Sequence, residues 1–351
     1  VEEDALKPDI AAFVVPLLAA SVASIVLTGI AIGVLRRTGV VDIPNARSSH
    51  SRVTVRGAGI GVALASVLTG SVMLFVDDVP TRQMLALAVG SAAFAVLGLV
   101  DDVRSGIPAR WRLVAQVVLA AAMSIGLLAN LDPVAWFVIA IPAASVWIVA
   151  YVNAFNFMDG INGISGISAV VAGAAYAAMG LVLDDLLLVV AGAVVAGAVL
   201  GFLPFNFPRA RAFLGDVGSY FLGAWLAAVA ILVVRAGGAP WSAIAPLSLY
   251  LADTGWAIIC RARRGENLLA AHRSHVYQRL ASGSTAHSAT SIVIGTLTMV
   301  LSALGVWAVG QDWWKELTAV FITGAILVIY LGSPLALKSF RNGSGKGLRD
   351  E

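Results

Sequence analysis

Eleven apolar runs dominate this 351-residue chain, at 12–35, 58–76, 83–100, 113–131, 134–152, 164–183, 186–205, 217–235, 241–259, 288–308 and 317–337. A helix needs about 20 such residues to cross the hydrocarbon core of a bilayer. The runs are continuous rather than alternating, which excludes the strands of a membrane β-barrel. Composition agrees: 59% of residues are hydrophobic and 12% charged, about half the charge of an average soluble domain. The predicted fold class is all-α, a polytopic integral membrane protein of about eleven transmembrane helices. Residues 1–337 read as a single transmembrane domain and 338–351 as a short polar tail. One cysteine, Cys260, excludes a disulfide framework and a Cys-based zinc site.

The first run is longer than the apolar stretch of a signal peptide, follows acidic residues and precedes Arg36 and Arg37. It therefore reads as a retained span. The runs at 164–183 and 186–205 are parted only by Asp184 and Asp185 and read as two spans. Orientation follows from Lys and Arg, which concentrate in cytoplasmic segments. With the N-terminus outside and the C-terminus in the cytoplasm, nineteen of the 23 basic residues lie inside. Only Lys7, Arg82, Arg235 and Lys315 lie outside. The inner segments also hold nearly all the His, Asn and Gly suited to chemistry, so the functional face is the cytoplasmic one.

Five inner segments carry that chemistry. The first contains Asp42-Ile-Pro-Asn-Ala-Arg47-Ser-Ser-His50 and Arg56-Gly-Ala-Gly59. It reads either as a basic stretch against anionic lipid headgroups or as backbone able to approach a phosphate. The second places Asp101 and Asp102 directly after an apolar span, with Arg112 ahead of Leu113-Val-Ala-Gln116. Adjacent carboxylates there are costly unless water, a cation or a raised pKa relieves them. The third is Asn153-Ala-Phe-Asn156-Phe-Met-Asp159-Gly160-Ile-Asn162-Gly163. Asn153 and Asn156 share a helical face, and the glycines end the helix, leaving oxygen ligands or a nucleotide pocket.

The fourth segment, Phe213-Leu-Gly215-Asp216-Val-Gly218-Ser219, opens a span with an acid that either caps the helix or binds a metal. The fifth runs from Arg261-Ala-Arg263-Arg264 to His272-Arg273-Ser274-His275-Val-Tyr277-Gln278. No third His or Cys is near, so His with Arg favours a diphosphate over a metal. An oxygen-rich acidic site beside Arg and His suits phosphoryl transfer. Carboxylate and amide ligands favour Mg²⁺ over Zn²⁺.

At these residues the chain resembles the polyprenyl-phosphate N-acetylaminosugar-1-phosphate transferase family (glycosyltransferase family 4), from residue 42 to 278 and with five motifs in the family's order. The specific ones are Asp101-Asp102, Asn153-Ala-Phe-Asn156-Phe-Met-Asp159-Gly160 and Gly215-Asp216-Val-Gly218-Ser219. The resemblance implies transfer of a sugar-1-phosphate from a UDP-linked N-acetylated amino sugar to undecaprenyl phosphate. The products would be UMP and an undecaprenyl-diphosphate-linked sugar, made by a multi-pass protein of the bacterial cytoplasmic (inner) membrane. The segment from His272 to Gln278 is similar to bacterial enzymes that initiate O-antigen, lipopolysaccharide or related glycans. The relative that moves a muramyl pentapeptide has three consecutive histidines and a third carboxylate beside the acidic pair. This chain has neither, which points to an amino sugar without a peptide. Asn162 stands where many bacterial members have Asp, and Ala58 interrupts the family's glycine run.

Residue by residue, the resemblance implies Mg²⁺, with Mn²⁺ as a substitute, on Asn156 and Asp216. It implies Asp101, Asp102 and Asp159 as the carboxylates of the catalytic centre. Asp101 would be base or orienting group toward the lipid phosphate, or alternatively a nucleophile forming a covalent phospho-sugar intermediate, and Asp159 would lie toward the nucleoside. His272, Arg273 and His275 would hold the donor diphosphate, Asn153 and Asn162 the nucleoside, and Arg112, Arg47 and His50 the lipid phosphate. The partners are then the UDP-sugar, undecaprenyl phosphate, the lipid bilayer and, because relatives are often dimeric, a second copy in a homodimer; nucleic acid is not among them. The rival is a transporter, above all a flippase for lipid-linked sugars. It would set ionisable groups near the bilayer midplane and often repeats its halves. Here the acids lie at the ends of spans, the sequence shows no repeat, and Asp253 alone sits well inside a run.

Overall fold

The computed structural model describes residues 10–42, 53–75, 79–103, 106–129, 134–267, 274–281 and 287–344. Each apolar run contains a helix among its described residues. The helices are α1 (Ile10–Arg37), α2 (Ile60–Met73), α3 (Thr81–Val103), α4 (Ala109–Leu128), α5 (Val134–Met158), α6 (Ile164–Val182) and α7 (Leu186–Asn206). There follow α8 (Gly215–Arg235), α9 (Pro240–Ile244), α10 (Ser248–Arg263), α11 (Val276–Ala281), α12 (His287–Ala308) and α13 (Trp313–Ser344). Two-residue strands β1 (Val41–Asp42) and β2 (Thr54–Val55) pair antiparallel between α1 and α2. Among the described residues, ten helical segments are long and apolar enough to cross a membrane, α9 and α10 forming one of them as Pro240–Arg263. The protein is an all-α polytopic membrane protein.

Boundaries differ from the sequence expectation where hydropathy and backbone geometry part company. The run 58–76 yields only the 14-residue α2, about 21 Å long at 1.5 Å per residue, short of the ~30 Å core. Its first residues are spent on a turn through Gly57, at φ 85°. In contrast, α3 and α5 run past their apolar stretches, so Asp101, Asp102 and Asn156 sit on last helical turns and Asn153 on the turn before. The run 241–259 is interrupted by a 3₁₀ turn, Ala245–Leu247, where Pro246 has no N–H to donate. The last helix continues to Ser344, so part of the expected tail is helical.

The runs at 164–205 form two antiparallel helices. Asp184 turns the chain at φ 52°, and the Asp185 carboxylate caps α7 by accepting from Leu188 N at 2.9 Å. Lipid is as apolar as any side chain, so helices in a bilayer gain from close packing at small residues. Gly173 and Gly192 serve this between α6 and α7, where a Cβ on either would strike the other helix's backbone. Helices α7 and α8 are buried almost all round, whereas α1 and α13 turn residues such as Val22, Phe321 and Ile329 outward. The interior therefore centres on α8, whose first turn supports the site.

Candidate active site

Successive residues on a helix point about 100° apart, so the two carboxylates ending α3 face different neighbours. Asp101 is buried and takes three donors. Its Oδ1 accepts from Ile107 N at 2.6 Å, and its Oδ2 from Arg112 Nη1 at 3.1 Å and the Tyr220 hydroxyl at 3.2 Å. Asp102 instead accepts from Arg56 Nε at 2.7 Å and from Val217 N at 3.0 Å. The same guanidinium donates from Nη2 to Asp216 Oδ2 at 3.1 Å, bridging the two carboxylates. Asp216, on the first turn of α8, also accepts from Asn156 Nδ2 at 2.8 Å, and that amide donates to Ser219 Oγ at 2.9 Å. Arg56, Asp102, Asp216 and Asn156 thus form one cluster, open to solvent on its Arg56 and Asp216 side.

Glycines bring these ends together. The stretch after β2 is held against the approach to α8, with Ala58 N donating to Phe213 O and Gly59 N to Leu214 O. Phe213 N returns a bond to Val55 O at 2.8 Å. A Cβ on Gly59 would meet the Gly218 backbone, and one on Gly98 would meet the Asp216 carbonyl. Gly215 has φ 73° and lies against both Gly57 and Asp102. The glycines that flank Arg56 and Asp216 in sequence are therefore the contact between two loops.

The other expected residues fall around this cluster. Asn153 lies one turn earlier on α5, its amide donating to Gln116 Oε1 at 2.7 Å and to Val149 O at 2.8 Å, and so pins α5 to α4. Asp159 is half-buried just beyond α5, its N–H donating to Asn156 O. Burial, reinforced by Asp216 and Asp102 nearby, pushes its carboxyl up to about 7. Asn162 is set apart in the α5–α6 turn, its amide reaching Pro208 O at 3.5 Å. His275 is buried, with Nδ1 at 3.0 Å from Asp253 Oδ1. Arg47, His50, His272 and Arg273 lie outside the described residues.

The model for glycosyl transferase family 4 matches residues 84–234, the stretch that holds Asp101, Asp102, Asn156 and Asp216. A "Decaprenyl-phosphate N-acetylglucosaminephosphotransferase" of Mycolicibacterium smegmatis is 30% identical over 302 residues, covering 74% of this chain and 72% of that protein. The chain belongs to glycosyl transferase family 4. A "Probable undecaprenyl-phosphate N-acetylglucosaminyl 1-phosphate transferase" of Bacillus subtilis is 28% identical over 338 residues, 92% of this chain and 90% of that one. A "Phospho-N-acetylmuramoyl-pentapeptide-transferase" of Moorella thermoacetica is 31% identical over 245 residues, 62% and 74% of the two chains. These relatives support a phosphosugar transferase.

The donor set of this family 4 chain suits a hard divalent cation. Among the described residues no three His, Cys, Asp or Glu side chains gather into a metal site. Mg²⁺, however, needs only one or two protein carboxylates beside substrate phosphates. Asp216 and Asn156 supply a part-exposed carboxylate and an amide, and the Arg56 guanidinium already sits as a cation between Asp102 and Asp216. In the sequence Arg56 reads as part of a basic stretch or of backbone able to approach a phosphate, and Gln116 and Tyr220 carry no role. The signal for Arg56 was its place next to two glycines, which alone does not name its partners.

Proposed function

We propose that this protein transfers an N-acetylaminosugar-1-phosphate from a UDP-sugar to undecaprenyl phosphate, releasing UMP and starting a lipid-linked cell-surface glycan. O-antigen and lipopolysaccharide are among the glycans this would serve, and the relatives' names make N-acetylglucosamine the first sugar to test. The observation that carries the reading is the Arg56-bridged pair Asp102 and Asp216 beside Asn156. It stands next to a second, separately held pair, Asp101 and Arg112. Two charged centres at neighbouring helix ends suit two phosphorylated substrates. The basic-residue map supports a cytoplasmic setting for this face, where a nucleotide sugar is available.

An oxygen of the lipid phosphate would bond to the β-phosphorus of the donor. The bond from that phosphorus to the bridging oxygen would break, and UMP would leave with that oxygen and its electron pair. Arg112, a quarter exposed on its side chain, would receive the lipid phosphate, and Asp101 would orient Arg112. With three donors on its two oxygens, Asp101 suits orientation better than nucleophilic attack. Mg²⁺, or Mn²⁺ in its place, would be held by Asp216 and Asn156 and would offset charge on the migrating phosphoryl group. Arg56 would neutralise the buried Asp102 and keep its other donors toward the donor phosphates.

The test is UMP release by purified protein given undecaprenyl phosphate, Mg²⁺ and a panel of UDP-N-acetylhexosamines, with and without EDTA. Lipid-dependent, EDTA-sensitive release is expected, with Asp216→Ala and Asp101→Asn each at least about 10²-fold slower. A flippase would bind the same lipid product and release no UMP. Wild-type rates in both variants would overturn the site.

A further inference from the structure

A second carboxylate centre lies apart from the Asp102–Asp216 cluster. Asp253, within α10, is completely buried (0% exposed), and four donors fill its two oxygens. Oδ1 accepts from Val276 N at 3.0 Å and pairs with His275 Nδ1 at 3.0 Å. Oδ2 accepts from Tyr277 N at 3.1 Å and from the Tyr330 hydroxyl at 2.5 Å. An ionised carboxylate has about four lone-pair positions and only accepts. The His275 Nδ1 contact fits that capacity when this nitrogen carries the ring proton. Such a group within a membrane helix is expensive unless its surroundings supply donors. Three of the four come from consecutive residues of one segment, and the fourth from the last helix.

The chain of contacts continues to the edge of the site. The Tyr277 hydroxyl donates to Phe157 O at 3.1 Å, on the last turn of α5, and accepts from Gln278 Nε2 at 3.3 Å. Gly160 lies against that hydroxyl, where any Cβ would collide with it. Phe157 and Gly160 flank Asn156 and Asp159 in sequence. Tyr330 is 3% exposed on a helix that mostly faces outward, so α13 reaches inward at this point to complete the carboxylate's shell.

We propose that Asp253, with Tyr330, is the positioning centre of the donor side: it docks residues 274–278 against the end of α5 and so sets the border of the UDP-sugar site. This rests on the transferase reading. Asn in place of Asp253 would offer one acceptor oxygen to four donors and would free part of the segment. Neither Asp253 nor Tyr330 touches substrate; both act through the segment they hold.

The experiment compares full-length wild type, Asp253→Asn and Tyr330→Phe in detergent, with UDP-N-acetylglucosamine and undecaprenyl phosphate as substrates. Asp253→Asn should raise KM for the UDP-sugar about tenfold and KM for the lipid less than about twofold, and Tyr330→Phe should raise the donor KM about threefold. Trypsin should cut between Arg261 and Arg279 faster in both. A merely structural loss would lower the amount of active enzyme, and so kcat, at unchanged KM, and would spread cleavage over the chain. Unchanged donor KM with unchanged cleavage overturns the proposal, and Tyr330→Phe decides if Asp253→Asn does not fold. If wild type releases no UMP, the transferase reading fails by itself, while the cleavage comparison still decides the docking.

Discussion

Arg56 is the side chain on which the charge balance of the cluster turns. Asp102 is almost wholly buried, with 1% of its side chain exposed, and Asp216 faces it across the guanidinium. Removing one partner of a buried ion pair leaves an uncompensated charge, so Arg56→Ala should slow UMP release about 10²-fold or more. Arg56→Lys should recover only part of the rate, because an ammonium lacks the planar fork that spans two carboxylates. The double variant Arg56→Ala/Asp102→Asn should lose less than the two single losses combined; full additivity would mean that the bridge has no functional weight. Asp159 gives a separate handle through pH. Its carboxyl is pushed up from 3.8 to about 7, so the folded state holds this proton more tightly than the unfolded chain. Its ionisation therefore costs stability, a cost that grows as pH rises above 3.8 and is complete above about 7. If the ionised form faces the nucleoside side, turnover should climb with pH through about 7. In Asp159→Asn that limb of the profile should disappear, and its survival would move the titration to another group.

Helix ends are brought together here by glycines, and this makes spacing testable. Gly98 on α3 touches the Asp216 backbone of α8 one turn before Asp101 and Asp102. Gly98→Ala should force the two helices apart, at a cost of about 2 kcal/mol in stability, and should lower turnover further by separating the carboxylates. Gly29→Ala on α1, where a Cβ meets nothing within 4 Å, should leave thermal stability and UMP release near wild type. Equal behaviour of the two variants would refute the close-contact account. The same distinction explains what was legible beforehand. Spans are legible because apolarity over about 20 residues is a local property. Asp101, Asp102, Asn156 and Asp216 were legible because carboxylates and amides at span ends are costly without a task. Helix ends were not, since α3 and α5 keep their hydrogen bonds past the last apolar residue while α2 loses its first residues to a loop contact. The partners of Arg56, Asn153 and Asp253 were not either: they lie 46, 37 and 22 residues or more away in sequence, and only packing chooses them.

Orientation joins the site to its substrates, and the fold and the charges bear on it in different ways. The contacts among Arg56, Asp102, Asn156 and Asp216 require the start of α2 and the ends of α3 and α5 to share one face with the start of α8. Antiparallel helices then set the α12–α13 turn on the opposite face, where Trp307, Trp314 and Lys315 cluster, with Lys315 Nζ 5.5 Å from the Trp314 ring. Tryptophans at that level suit a membrane–water boundary. Hydrogen bonds alone leave the whole arrangement free to be inverted; the expectation from sequence, with nineteen basic residues in the inner segments, favours the cytoplasm for the site's side. With Cys260, the sole cysteine, replaced by Ser, single cysteines at Asp312 and Arg209 give opposite expectations. A membrane-impermeant maleimide added to intact cells should label Asp312→Cys at once and Arg209→Cys only after permeabilisation. The reverse pattern would put the carboxylate cluster outside the cell, beyond reach of cytoplasmic nucleotide sugars, and the transfer reaction would have to be abandoned even if the cluster binds a divalent cation.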